Sequence, residues 1–243
     1  MMFRSRVLLL IAALACASNA HAFNFVPRDA EWASWPPHCK ARYSVSPAAT
    51  GTPFYGAVSP AEVQQWQARL TDKVWEHMHH YCAGLAWMQR AQVATSSKAR
   101  KSALHAAARE VSYTQRHLQP GQPLFPEVTV AAARASAESG NLQQGINTLE
   151  RAIAAQPTTA DFYVALYTIQ KRANRLEPAV AALQRGDAAT AGKSAEIQYF
   201  LGIEAFDRGQ KTEAVAFAKR AYELGYPLPG LRRKLQAEGY SLN

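Results

Sequence analysis

Three turn residues, Gly140, Asn174 and Gly209, fall 34 and 35 residues apart in a 243-residue chain, each between two stretches whose apolar residues recur every three or four positions. A period of that size is one helix, a tight turn and a second helix, and such a unit cannot bury its apolar face alone. Neighbouring units must stack. This spacing therefore predicts an all-α array of helical hairpins over the second half of the chain. Arrays of this kind build extended concave surfaces, which favours binding over catalysis.

The small residues follow the same period. With first positions at Pro126, Ala160 and Ala195, the eighth, twentieth and twenty-seventh positions hold Ala133, Gly145 and Ala152, then Tyr167, Ala179 and Gly186, then Gly202, Ala214 and Ala221. Eight of these nine are Ala or Gly, as close helix–helix approach requires. Tyr167 is the exception and is expected to force the hairpins apart locally or to lie along the interface. Leu149, Leu166, Leu183 and Leu201 are expected to pack each second helix into its first, with Ala218 beside Phe217 in the last unit. Pro157 closes the first unit, and Pro227 stands one residue late in the third.

On these residues, 126–228 resembles three tetratricopeptide (TPR) repeats. The resemblance implies a right-handed α-solenoid whose first helices line a groove with their second, fifth, ninth, twelfth and thirteenth positions. Carried over, the first unit offers Glu127, Val130, Arg134, Ala137 and Glu138; the second, Asp161, Val164, Thr168, Lys171 and Arg172; the third, Glu196, Tyr199, Ile203, Phe206 and Asp207. A partner-binding groove is thus expected, with basic centres at Arg134, Lys171 and Arg172 and an aromatic and aliphatic wall at Tyr199, Ile203 and Phe206. Aromatic side chains beside Arg are the usual anchors of protein interfaces. Tyr199 and Phe206 are the expected anchors, unless they pack against a C-terminal helix around Leu231–Ala237. The sixth positions, Ala131, Ala165 and Phe200, lack the Asn that some members of the family use to clamp a terminal carboxylate.

Upstream, residues 1–22 read as a secretory signal peptide: Arg4 and Arg6, an apolar run from Val7 to Ala15, and the exit Ala20-His21-Ala22. The run is too short to span a membrane, which takes about 20 residues. Cleavage before Phe23 is expected, and a competing reading makes Cys16 a lipid anchor. Losing Arg4 and Arg6 lowers the formal net charge from +9 by two, to +7. The basic residues are scattered, and Lys98–Lys101 and Arg232–Lys234 read as solvated surface, so no nucleic-acid function is expected.

Residues 23–59, rich in Pro and aromatics without periodicity, are expected to form an irregular strap. Cys39 would pin it through a disulfide to Cys82, since an even cysteine pair in an exported chain meets an oxidising compartment. Ser59, Pro60 and Glu62 mark a helix start. Residues 60–120 are expected to be a divergent hairpin or cap, with its second helix over Lys98–Leu118, and 229–243 a capping helix and tail.

Chemistry has one candidate cluster. His77, His79, His80 and Cys82 hold metal-ligating groups, but helical geometry points them in different directions, and a disulfide would consume Cys82. No Gly-x-Ser-x-Gly or Gly-rich phosphate loop occurs. The expectation is a protein with no enzymatic activity and no cofactor, a periplasmic adaptor or scaffold binding a protein or peptide partner of the bacterial cell envelope. Two alternatives are a periplasmic metal-binding protein using the histidine cluster and a structural subunit buried in a larger assembly.

Overall fold

The computed structural model describes residues 24–242, so the expected signal peptide, its cleavage point and the Cys16 alternative lie outside the described residues. Among the described residues the chain is all-helical. It has twelve α-helices, one 3-10 turn at Pro47–Ala49, and no strand.

Two short helices, α1 (Asp29–Ser34) and α2 (Pro37–Ser44), precede α3 (Pro60–Arg69), α4 (Asp72–Gln92) and α5 (Ser97–His117). Four pairs account for most of the packing between helices. They are α4 on α5, α6 (Phe125–Glu138) on α7 (Leu142–Ala155), α8 (Ala160–Arg172) on α9 (Leu176–Ala189), and α10 (Ala195–Asp207) on α11 (Lys211–Glu223). The leading helices also touch in succession, α4 to α6, α6 to α8 and α8 to α10, and α12 (Gly230–Ala237) closes against α10 and α11.

The turns inside the last three pairs are one structure repeated. Gly140, Asn174 and Gly209 each adopt positive φ, at 102°, 57° and 79°. In each case the next residue's N–H bonds back to a carbonyl five positions earlier: Asn141 to Ser136, Arg175 to Gln170 and Gln210 to Ala205, all at 2.9 Å. That bond satisfies a helix-end carbonyl and reverses the chain, and it needs a residue that tolerates the left-handed region. Gly and Asn are such residues, which is why these positions mark the period.

Behind the turns, the small residues sit where helices meet. Ala133, Ala179, Ala214 and Ala221 are completely buried. A Cβ added at Gly145 would lie 2.6 Å from the backbone oxygen of Ala133, so α6 and α7 touch backbone to backbone. Leu149, Leu166 and Leu183 fill the gaps and are fully buried, with Leu201 nearly so. Tyr167 lies along the interface, as one of the two options for so large a residue requires: it is buried and its hydroxyl donates to Glu204 Oε1 at 2.5 Å.

The N-terminal segment departs from the expected irregular strap, because Asp29–Ser34 and Pro37–Ser44 are helical. Pro37 takes the first position of α2, where its missing N–H costs nothing. Periodicity could not reveal α2, since His38, Cys39, Ala41, Tyr43 and Ser44 are buried almost all round the helix. Phe25, Trp32, Trp35, Tyr43 and Phe54 cluster here, with Trp32 stacked on Phe54 at 4.7 Å. The Cys39–Cys82 disulfide joins α2 to α4. A buried ion pair adds a second tie: Arg90 of α4 holds Glu31 through Nε at 2.6 Å and Nη2 at 2.7 Å.

Val63, Trp66, Leu70 and Val74 recur every three or four residues, a continuous helical spacing, yet the helix breaks at Leu70. Its ψ of 145° is extended, and the Thr71 hydroxyl restarts the chain as α4 by accepting the Val74 N–H. The apolar spacing survives the break because Leu70 and Val74 both point into the same core.

Candidate functional site

The leading helices α4, α6, α8 and α10 form one side of a groove of about 690 Å³. Its lining repeats by position. Second positions contribute Glu127, Asp161 and Glu196; fifth positions, Val130 and Val164; sixth positions, Ala131, Ala165 and Phe200. Arg134 and Thr168 come from ninth positions and Arg172 from a thirteenth, while Tyr81 and Leu85 of α4 extend the wall. The result is an apolar floor with carboxylates from the first turn of each helix at one side and cations from later turns at the other.

Few of these charges are equally available. Glu127 accepts the Tyr81 hydroxyl at 2.6 Å and lies 3.6 Å from His38 Nε2 of α2. Burial pushes the His38 imidazole below its ordinary value, against the pull of Glu127. Arg172 pairs with Glu138, and Lys171 with Glu204 and the Tyr167 hydroxyl. Arg134 differs. Among the described residues it has no ion pair or hydrogen bond, and its Nε is buried without a partner. Asp161 and Glu196 likewise lack a cationic partner among the described residues; burial, and then the charge of Asp161, pushes the Glu196 carboxyl above its ordinary value.

A smaller hollow of about 500 Å³ continues from the groove, sharing Thr168, Arg172 and Phe200. Lys171, Tyr199 and Ile203 line it. Five of the six expected groove residues, Arg134, Lys171, Arg172, Tyr199 and Ile203, thus come to these two connected hollows. Phe206 does not line either of them. Its ring lies under Lys211 Nζ at 3.4 Å and Lys234 Nζ at 5.2 Å, where α11 and α12 fold back over the end of α10.

Tyr199 keeps a place at the hollow but serves chiefly as core. It is 8 % exposed, stacks on Tyr226 at 4.1 Å, and its hydroxyl closes on Gly230, where an added Cβ would lie at 2.7 Å. Packing against the C-terminal helix therefore takes both expected anchors. Phe200 is the aromatic side chain that both hollows share, and it was visible in the sequence as the one large residue among the sixth positions.

The histidine cluster is dispersed over other partners. His77 stacks on His117 at 3.9 Å, and His80 Nδ1 meets Glu110 Oε2 at 2.6 Å. Burial, with the nearby His80 and Arg42, pushes His79 down to about 3. Cys82 is corrected as a ligand, because its sulfur is bonded to Cys39 and offers no thiolate. Among the described residues no group of three His, Cys, Asp or Glu is arranged to hold an ion. No described helix is long and apolar enough to cross a membrane. No protein-family model matches this chain, and comparison with curated proteins finds no match.

Proposed function

We propose that this chain is a non-catalytic protein-interaction scaffold of the bacterial cell envelope, built as a right-handed α-solenoid of TPR-like hairpins, that holds a segment of a partner protein in the groove over α6, α8 and α10. The observation that carries the reading is the groove itself. Equivalent positions of successive hairpins converge on one surface about 690 Å³ in volume, with an apolar floor and charged sides, as expected of a surface that receives a chain segment. In this reading α3 to α5 form a divergent first repeat or cap, and α12 caps the far end through the buried Leu231 and Leu235.

Export is supported by the basic, apolar and small-residue order of residues 1–22 and by the fully buried Cys39–Cys82 disulfide, a bond that persists in oxidising compartments. Fusing residues 1–22 to a reporter that is active only outside the cytoplasm tests that part; an inactive reporter refutes it.

The groove is tested by crosslinking residues 23–243 in envelope extract and identifying the captured proteins, beside the double variant Arg134→Glu, Val164→Glu. Both side chains are only half-buried and line the groove, so the variant should melt within a few degrees of the parent. Loss of a defined partner set from a folded variant supports the proposal. An unchanged partner set refutes it.

A further inference from the structure

The groove leaves three charged groups uncommitted, and their arrangement describes what fits. On one side Asp161 and Glu196, from the first turns of α8 and α10, face the groove without a cation among the described residues. On the other, Arg134 on α6 lacks a carboxylate, while its neighbours Arg172 and Lys171 are already paired with Glu138 and Glu204. Val130, Val164 and Phe200 lie on the floor. Asp161 is exposed and Glu196 half-buried, so a cation placed beside them would relieve their mutual repulsion, and an acceptor would satisfy the buried guanidinium nitrogen of Arg134. Burial first, and then the charge of Asp161, raises the Glu196 carboxyl.

From this we infer that the occupant is an extended peptide segment of a partner protein carrying a basic side chain for Asp161 and Glu196, an acidic side chain for Arg134, and apolar residues between them. This deepens the scaffold reading and rests on it. Asp161 on α8 and Arg134 on the adjacent α6 differ by seven residues of helix height, roughly 10 Å at 1.5 Å per residue, and by one interhelical spacing of about 9 Å, so roughly 13 Å in all. An extended chain covers that distance in about four residues at 3.3 Å each. The recognised pattern is therefore a base and an acid about four positions apart, flanking three apolar residues. Charge complementarity of this kind sets partner choice and register.

The test uses a labelled nonapeptide, Gly-Ser-Lys-Leu-Leu-Leu-Asp-Ser-Gly, two counterparts with Gln for Lys or Asn for Asp alone, and a neutral one with both changes, titrated with residues 23–243 by fluorescence anisotropy at low salt. The charged peptide should bind about tenfold or more tightly than the neutral one, a typical effect of charge-assisted contacts, with the margin shrinking as salt rises. In the double variant Asp161→Asn, Glu196→Gln the preference for Lys should vanish, and in Arg134→Met the preference for Asp should vanish. Folding of each variant is followed by its circular-dichroism melt.

Equal binding of the charged and neutral peptides, or no binding of either, overturns the inference, as does a Lys preference that survives in Asp161→Asn, Glu196→Gln or an Asp preference that survives in Arg134→Met. A concentration-dependent dimer that the charged peptide cannot dissociate also overturns it, because the groove would then belong to a second copy. The envelope capture experiment decides the scaffold reading separately: partners lost in the groove variant with no peptide selectivity would leave the groove and remove only this charge pattern.

Discussion

Gly145→Ala is expected to destabilise the protein although the substitution favours a helix. Gly145 lies inside α7, and in an uncrowded helix interior Ala is about 1 kcal/mol better than Gly. Here the new methyl would stand 2.6 Å from the backbone oxygen of Ala133, with Ala137 Cβ and Ile169 Cδ1 each at 3.4 Å. Ordinary contact begins at 3.4 Å, so α6 and α7 must separate by about 0.8 Å. A backbone carbonyl inside a helix cannot rotate away, so the whole helix moves.

Ala133, Leu149 and Ala152 pack along that seam and are 0 %, 0 % and 3 % exposed. A gap of this size forfeits about a quarter to a half of each contact's dispersion well, and overpacked sites cost about 1–3 kcal/mol. Set against the helix gain, the net loss is up to about 2 kcal/mol, and the melting temperature should fall by as much as roughly 8 °C for a chain of this length. Thermal melts by circular dichroism measure it. Gly202→Ala is the comparison, because its nearest obstacle at 2.5 Å is the side-chain tip of Leu231, which α12 can carry aside; it should cost less. A raised melting temperature for Gly145→Ala would refute backbone-to-backbone packing between α6 and α7.

Two further outcomes are expected. Replacing both Cys39 and Cys82 by Ser opens a loop of 43 residues, which in the chain-entropy treatment removes about 4 kcal/mol. All five tryptophans lie between Trp32 and Trp87, so in urea the fluorescence transition should shift to lower denaturant further than the circular-dichroism transition; coincident, unshifted curves would show that the bond contributes nothing. Acid should weaken the fold before any carboxylate titrates. His79 stays neutral when folded down to about 3, chiefly because of burial, whereas the unfolded chain protonates it below about 6.5; stability is therefore complete above pH 6.5 and lost as pH falls, by about 1.4 kcal/mol per unit for this group. His79→Leu should flatten the pH dependence of urea midpoints between pH 6.5 and 5 by about one proton's worth, and an unchanged slope would refute it.

What was legible in the sequence is local. A tight turn demands a residue that tolerates positive φ, a close helix crossing demands Ala or Gly, and both demands recur with the hairpin, so Gly140, Asn174, Gly209 and the small residues disclosed the three pairs with their boundaries near Ala160 and Ala195. The expected groove positions were those that the resemblance to TPR repeats implies for the first helices, carried over onto this sequence by position.

Tertiary structure decided the rest, because it depends on contacts between distant segments. The two helices before residue 45 exist without an amphipathic pattern because the disulfide, the aromatic cluster and the Glu31–Arg90 pair surround them. Tyr199 and Phe206 satisfied the positional rule for groove anchors, yet α11, α12 and the segment carrying Tyr226 pack against them; the sequence offered both outcomes, and only the return of the chain over α10 chose between them. The pairing of charges was settled in the same way: Lys171 with Glu204, Arg172 with Glu138 and Arg185 with Glu150 join residues 33 to 35 apart, one hairpin to the next. Residue identity supplied the charges, and the stacking of neighbouring hairpins determined that Arg134, Asp161 and Glu196 have no oppositely charged partner among the described residues.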